Sequence, residues 1–310
     1  MKYNVAIAFV CFNTKNFILK NINLIKKLNK TPSLNIKFYI CDNNTKKTYM
    51  YTKNKRFEIF KGVKKNINHS FPETDHHGRA LNKVLKKSKK KDFFIILDPD
   101  FFIIENNWII KTIKFCNTKK ISIFGAPWFP THLTKQKYFP CPHYILFNKN
   151  VLNKNLDFTI ANKKKLGKIS RKYKINKHHG MLINFFLGRD WIKIIPDTGY
   201  KIYKKFVYSK INYASLTPII TRNDINEIMG TGIIGYIIKI LNFFKKKEQQ
   251  LLPENNKFLF KKNFKDKFYD GFQNFTFDKK TIHAIHLRSA IYRGKKSLNK
   301  NYLMRVLKDL

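Results

Sequence analysis

Three short apolar runs constrain the fold of this chain more than any other feature: Val5-Ala6-Ile7-Ala8-Phe9-Val10-Cys11-Phe12, Ile36-Lys37-Phe38-Tyr39-Ile40-Cys41 and Phe93-Phe94-Ile95-Ile96-Leu97. Runs of this length without polar alternation fit strands covered on both faces. Between them the apolar spacing becomes helical. Phe17, Leu24, Ile25 and Leu28 recur on one face of the stretch from Asn16 to Leu28, and Ala80-Leu81-Asn82-Lys83-Val84-Leu85 forms an amphipathic helix leading into the third run. Ile121-Ser122-Ile123-Phe124-Gly125-Ala126-Pro127 reads as a further strand, broken by Gly and Pro. Strands alternating with helices predict an α/β fold, with a mainly parallel central sheet flanked by helices.

A parallel sheet gathers the carboxyl ends of its strands on one edge, where ligands collect in open α/β folds. The three runs end at Asn13, at Asp42-Asn43-Asn44 and at Asp98-Pro99-Asp100. Each is an ordinary turn sequence by itself. Together they predict one cleft walled by Asn13, Asp42, Asn43, Asp98 and Asp100. If strand geometry continues past Leu97, both carboxylates of the Asp-x-Asp pair lie on one side. Their hard oxygens suit Mg²⁺ or Mn²⁺, ions that keep positions open for phosphates and water.

The chain has 310 residues, enough for one large α/β domain with an extension or for two modest domains. Its net charge is +44, and about 55 of the 63 basic residues are Lys, accompanied by abundant Asn, Ile and Phe. That combination is what A+T-rich codons supply. The lysines are spread along the chain instead of forming one Arg-rich patch with interleaved aromatics, so they do not point to nucleic acid. They do favour anionic ligands through long-range steering.

Cys11, Cys41, Cys116 and Cys141 are widely spaced beside apolar runs, without a CxxC pair. They read as buried free thiols of a reducing compartment, and zinc is not expected. The first residues pass directly into a strand without a cleavage signal, which predicts a cytoplasmic protein. Gly230 to Phe244 is apolar but too short for a membrane span, and Lys245-Lys246-Lys247 follows at once. A buried helix and a segment in peripheral contact with an anionic membrane are both open readings.

The strand tips, with Gly78-Arg79-Ala80-Leu81-Asn82 read as opening a helix, resemble nucleotide-sugar-dependent glycosyltransferases of the GT-A fold, close to the family 2 type. The resemblance covers residues 4 to 105 well and thins beyond about 230. It implies a catalytic domain over 1–230, with a nucleotide-binding half at 1–105 and an acceptor half at 106–230, and a C-terminal extension over 231–310. It further implies that Asn13, Asp42 and Asn43 meet the nucleoside, Arg79 and Asn82 the nucleotide and diphosphate, and Asp98 and Asp100 the metal. The donor implied is a nucleotide sugar, UDP-linked first of all, and the acceptor a hydroxyl of a glycan or lipid-linked glycan.

The chain departs from that family in lacking an acidic pair after the metal motif, so the base that would deprotonate the acceptor is open. Asp190, beside Arg189 and Trp191, is the first candidate, followed by Asp197 and Asp224. Inversion and retention cannot be separated without it. Several GT-A enzymes use a late His as a metal ligand, and His286 in Thr281-Ile282-His283-Ala284-Ile285-His286-Leu287 matches better than His283, which points to the other face if the run is a strand. His76-His77 and His178-His179 read as polar loop residues, with His77 able to touch nucleotide. The proline-rich stretch from Trp128 to His143 is expected to be a loop-rich cover over sugar and acceptor, with Trp128 as a stacking surface. The competing readings are a sugar-phosphate nucleotidyltransferase, whose Gly- and Lys/Arg-rich loop is missing after the first strand, and a basic nucleic-acid or membrane-surface module without catalysis.

Overall fold

The computed structural model describes residues 2–43, 57–69, 71–88, 91–130, 138–160, 197–229, 232–244, 257–261 and 272–287. The three apolar runs form β1 (Tyr3–Cys11), β2 (Leu34–Asp42) and β4 (Phe93–Leu97), joined by α1 (Lys15–Leu28), β3 (Phe57–Lys61) and α2 (Pro72–Lys87). The chain continues through β5 (Phe101–Ile103), α3 (Trp108–Thr118), β6 (Ile123–Pro127), β7 (Pro140–Asn148), α4 (Lys149–Leu152), α5 (Tyr200–Phe206), β8 (Tyr213–Ser215) and β9 (Thr217–Ile220). It ends in α6 (Arg222–Met229), α7 (Gly232–Phe244), β10 (Leu259–Phe260), β11 (Gln273–Thr276) and β12 (Ala284–His286).

A seven-stranded sheet has the order β3-β2-β1-β4-β7-β6-β8, and among its described strands β7 alone runs against the others. The expected α/β architecture with a mainly parallel sheet is therefore present. Both faces are covered because β1 alternates between them. Val5, Ile7 and Phe9 pack with Ile18, Ile22 and Ile25 of α1 and Trp108 and Ile113 of α3. Ala6, Ala8 and Val10 pack with Ala80, Leu81 and Val84 of α2 and Ile202 and Phe206 of α5. Burying each large aliphatic or aromatic side chain contributes roughly 1.5–3 kcal/mol, which is why a run apolar at every position chooses the interior of a sandwiched sheet.

A second sheet, ordered β10-β9-β11-β12-β5, joins late strands to β5. It packs through Phe101, Ile220, Phe275 and Ala284 on the core face shared with α1 and α3. Here β12 pairs antiparallel with β5, in the register Ala284↔Ile103, Ile285↔Phe102 and His286↔Phe101.

Two local expectations are corrected. Trp128 to His143 is not simply a loop-rich cover, because Pro140 to Asn148 forms the nine-residue strand β7 between β4 and β6. Its prolines fit because pairing with β4 begins only at Tyr144, while Pro140 meets Pro127 beyond an irregularity between Gly125 and Pro127. The helix expected to open at Gly78 starts at Pro72, with Glu73 and Asp75 in its first turn. Gly78 and Arg79 are thus inside the helix. A Cβ on Gly78 would stand 2.5 Å from the Phe158 carbonyl oxygen, so glycine here admits a neighbouring backbone.

All four cysteines are buried and none is in a disulfide, as expected. Burial pushes the Cys41 thiol up to about 11 and the Cys116 thiol up to about 12, which keeps both protonated.

Candidate active site

The Asp-x-Asp motif is a turn between two sheets. The Asp98 carbonyl accepts the Phe101 amide at 3.0 Å, closing a β-turn with Pro99 at its second position, a placement that proline's fixed φ favours. Strand geometry therefore stops at Leu97, contrary to the assumption that placed both carboxylates on one side. The chain leaves the first sheet at β4, turns, and enters the second sheet at β5.

Four further bonds fix this turn. The Asp98 amide donates to the His143 carbonyl at 2.9 Å, and the Leu287 amide donates to the Asp100 carbonyl at 3.0 Å. From α1, the Asn21 side-chain amide donates to the Pro99 carbonyl at 2.9 Å and the Phe101 carbonyl at 3.0 Å. Asn21 is fully buried on the apolar face of α1. A buried amide there is tolerated because it satisfies two turn carbonyls that the sheet ladders leave open.

The two carboxylates face different partners. Asp98 Oδ2 lies 2.6 Å from His143 Nδ1, a charge-assisted hydrogen-bond distance, while Asp98 Oδ1 lies 3.8 Å from His77 Nε2. Asp100 Oδ1 lies 3.7 Å from His286 Nε2. His286 Nδ1 is 2.9 Å from Gln273 Oε1 and must be the donor, since a carbonyl oxygen only accepts. When the ring is neutral, its Nε2 lone pair therefore faces the Asp100 carboxylate. The His143 and His286 rings lie 4.4 Å apart, and Trp128 packs edge-on against His143 with centroids 4.4 Å apart.

Burial pushes the Asp98 carboxyl up to about 6; His77 and His286 oppose this, while the charges of Asp100 and Asp197 add to it. Burial would raise Asp100 as well, but the His286 imidazole 3.7 Å away and the charge of His143 hold it below the usual carboxylate range. Two partly buried acids pushed in opposite directions mark a site where charge is arranged for a ligand.

The other strand tips meet this edge, as the parallel topology requires. Cys11 is in register with Asp42 across β1 and β2, and Ala8 with Ile96 across β1 and β4, so Asn13, Asp42 and Asp98 follow strand ends at nearly one level. Asn13 has φ 55°, the left-handed conformation that asparagine tolerates at a sharp exit. Asp42 and Asn43 are buried, and Asn43 Oδ1 accepts the Val63 amide at 3.0 Å. A Cβ on Gly62 would stand 2.3 Å from both Asn43 Oδ1 and the Asp42 carbonyl, so this floor closes only over glycine.

Other expected residues are engaged elsewhere. Arg79 Nε donates to Asp75 Oδ2 at 2.8 Å and its Nη2 to the Lys64 carbonyl at 2.6 Å. Asn82 donates to Asp157 Oδ1 at 2.8 Å and accepts the Phe158 amide at 2.9 Å. Asp197 accepts the Thr198 amide at 2.7 Å and lies within electrostatic reach of Asp98. Asp224 accepts the amide and hydroxyl of Thr221 at the start of α6. Asp190, Arg189, Trp191, Asn44, His178 and His179 lie outside the described residues. Phe129, Phe139 and Tyr144 belong to the core.

His76 and His77 lie in α2 and not in a loop, and their side chains diverge. His76 is buried with Nε2 2.7 Å from the Val63 carbonyl, and His77 faces Asp98. His283 pairs with Glu105 while His286 turns to Asp100, confirming that the two late histidines point apart. Sequence reasoning missed His143 and Asn21. The signal for His143 was its place just before Tyr144, the first β7 residue paired with β4; Asn21 was legible only as a polar residue among the apolar positions of α1.

No protein-family model and no curated protein matches the chain. Solved structures similar to it are glycosyltransferases. A Pyrobaculum calidifontis mannosyltransferase, solved with GDP-mannose and Mn²⁺, shares 10% identity over 51% of this chain and 48% of its own, with a TM-score of 0.36. The galactosyltransferase LgtC, solved with donor and acceptor sugar analogues, shares 8% identity over 98% of this chain and 96% of its own, with a TM-score of 0.43. Staphylococcus aureus TarS residues 1–349, with UDP-GlcNAc, share 14% identity over 54% and 52% of the two chains, with a TM-score of 0.34. The chain thus spans about half the length of two of these structures.

Proposed function

We propose that this protein is a metal-dependent glycosyltransferase that moves a sugar from a nucleotide-sugar donor, UDP-linked first of all, to a hydroxyl of a glycan or lipid-linked acceptor. The observation that carries the proposal is the 3.7 Å approach of His286 Nε2 to Asp100 Oδ1 beside the partly buried Asp98, on the edge where the parallel strands end. With the imidazole neutral, two acceptor atoms face each other there, and a cation between them would satisfy both.

The donor set fits Mg²⁺ or Mn²⁺. Among the described residues no three His, Cys, Asp or Glu side chains could hold an ion by themselves. Such ions commonly take one or two carboxylates from the protein and complete their shell with substrate phosphates and water. Asp100 and His286 would hold the ion beside Asp98, with substrate phosphates and water completing its shell and Gln273 orienting the imidazole. When bound, the ion offsets the negative charge that develops on a leaving diphosphate.

The chain's own residues would do the remainder. Asn13, Asp42 and Asn43 line the nucleoside side of the edge, and His143 holds Asp98 in place through its 2.6 Å contact. His77 reaches the same carboxylate from α2 and can meet the donor's phosphates. Asp197 and Asp190 are the candidates for the base that takes the acceptor's proton, and Asp197 lies within electrostatic reach of Asp98. Trp128, beside His143, offers a face for a pyranose ring.

A panel of nucleotide sugars, assayed by release of free nucleotide with Mn²⁺, Mg²⁺ or EDTA, tests the proposal. Turnover of at least one donor is expected with metal, is abolished by EDTA, and falls about a hundredfold or more in Asp98→Asn and Asp100→Asn. Absence of metal-dependent binding and turnover for every donor would overturn it.

A further inference from the structure

Helix α7 carries an apolar stripe that no described residue covers. Ile233, Tyr236, Ile237, Ile240, Phe243 and Phe244 fall at helical spacing on one side, and all six are exposed, Ile233 by 81%, Phe243 by 80% and Phe244 by 78%. A stripe of this kind costs free energy in water, and large exposed apolar patches mark interaction surfaces. The helix contains no acidic residue, and Lys245-Lys246-Lys247 follows its last turn in a chain of net charge +44.

We propose that α7 docks this protein onto a bilayer surface bearing anionic lipid headgroups, with its apolar stripe in the interface and the adjoining lysines on the headgroups. The charge decides the occupant: an apolar face flanked by a lysine cluster matches a surface that is apolar inside and negative outside. The aromatic residues agree, since Tyr236, Phe243 and Phe244 combine large apolar area with rings suited to the interface. Thirteen residues make a helix about 20 Å long, against a hydrocarbon core of about 30 Å. No described helix is long and apolar enough to cross a membrane, so α7 lies along the surface. A single apolar helix or a single basic cluster holds a protein to membranes only weakly; the two together give stable attachment. This inference stands on α7 and its flank, independent of the donor chemistry.

Flotation of the full chain with phosphatidylcholine vesicles, with and without about a third phosphatidylglycerol, tests it. Binding is expected to the anionic vesicles and to fall about tenfold or more in Ile237→Asp and again in Phe244→Asp. Neutralising Lys245, Lys246 and Lys247 together to Gln should weaken binding and flatten its dependence on salt. Circular dichroism of each variant, unchanged from the parent, excludes unfolding as the cause. No binding to anionic vesicles overturns the proposal. So does binding that both Asp variants leave intact, which would assign it to charge alone. A dimer in gel filtration that Phe244→Asp dissociates, without vesicle binding by the parent, would give the stripe to a second copy of this chain and equally overturn it.

Discussion

His286 stands opposite Phe101 in the register of β12 and β5, and this places its Nε2 3.7 Å from Asp100 Oδ1. The pair joins segments far apart in the chain. On the proposed function, His286→Ala should raise the Mn²⁺ concentration needed for half-maximal donor turnover, and Gln273→Leu should raise it about tenfold by releasing the imidazole from its tautomer. A Mn²⁺ titration of nucleotide release measures both. Equal metal dependence in the parent and both variants would remove His286 from the metal site.

Asn21 is expected to matter more for the site than its place on α1 suggests. Asn21→Leu leaves the Pro99 and Phe101 carbonyls without their donor and should destabilise the fold by about 1–3 kcal/mol in urea unfolding. Because those carbonyls frame the Asp98–Asp100 turn, donor turnover measured well below the unfolding transition should fall as well. Lost stability with unchanged turnover would show that the turn holds its shape without Asn21.

Gly78→Ala separates helix propensity from packing. Alanine stabilises an unconstrained helix interior by about 1 kcal/mol relative to glycine. Here the added methyl would lie 2.5 Å from the Phe158 carbonyl oxygen and 2.9 Å from Thr159 Cα, both backbone atoms. The expected sign is therefore destabilising, by about 1–3 kcal/mol. A thermal melt decides it, and a raised midpoint would show that the 157–159 segment yields.

Asp157 predicts part of the acid sensitivity. Burial would raise its carboxyl, but Lys201, Asn82 and Thr159 outweigh that and hold it at about 2. Its folded value lies below the unfolded one, so its contribution is present above about pH 4 and is lost as pH falls toward 2. The group is partly exposed, and the loss should be well under 1 kcal/mol after screening. Asp157→Asn should flatten stability against pH between 4 and 2, as read by denaturant unfolding across that range; an unchanged slope would place the acid-labile groups elsewhere.

The sheet was legible from the sequence because its evidence is local. The runs at Val5, Ile36 and Phe93 are apolar on both alternate faces, and only a doubly covered strand rewards that pattern. The helical stripe of Phe17, Leu24, Ile25 and Leu28 is local in the same way, as α1 bears out. The convergence of Asn13, Asp42 and Asp98 followed from topology alone, since parallel strands share an edge. The start of α2 was misplaced because Pro72 and the acids after it set the N-terminus, while reading began from the apolar positions further on.

By itself, then, the sequence determined the parallel sheet, the buried thiols and the acidic edge, because each depends on periodicity or on residues a few positions apart. Only the tertiary structure decided which side chains meet there. β7 threads antiparallel beside β4 and brings His143 to Asp98, and β12 adds to β5 and brings His286 to Asp100. Such pairings join distant segments through backbone hydrogen bonds, which every residue but proline can make, and so no local pattern of side chains announces them.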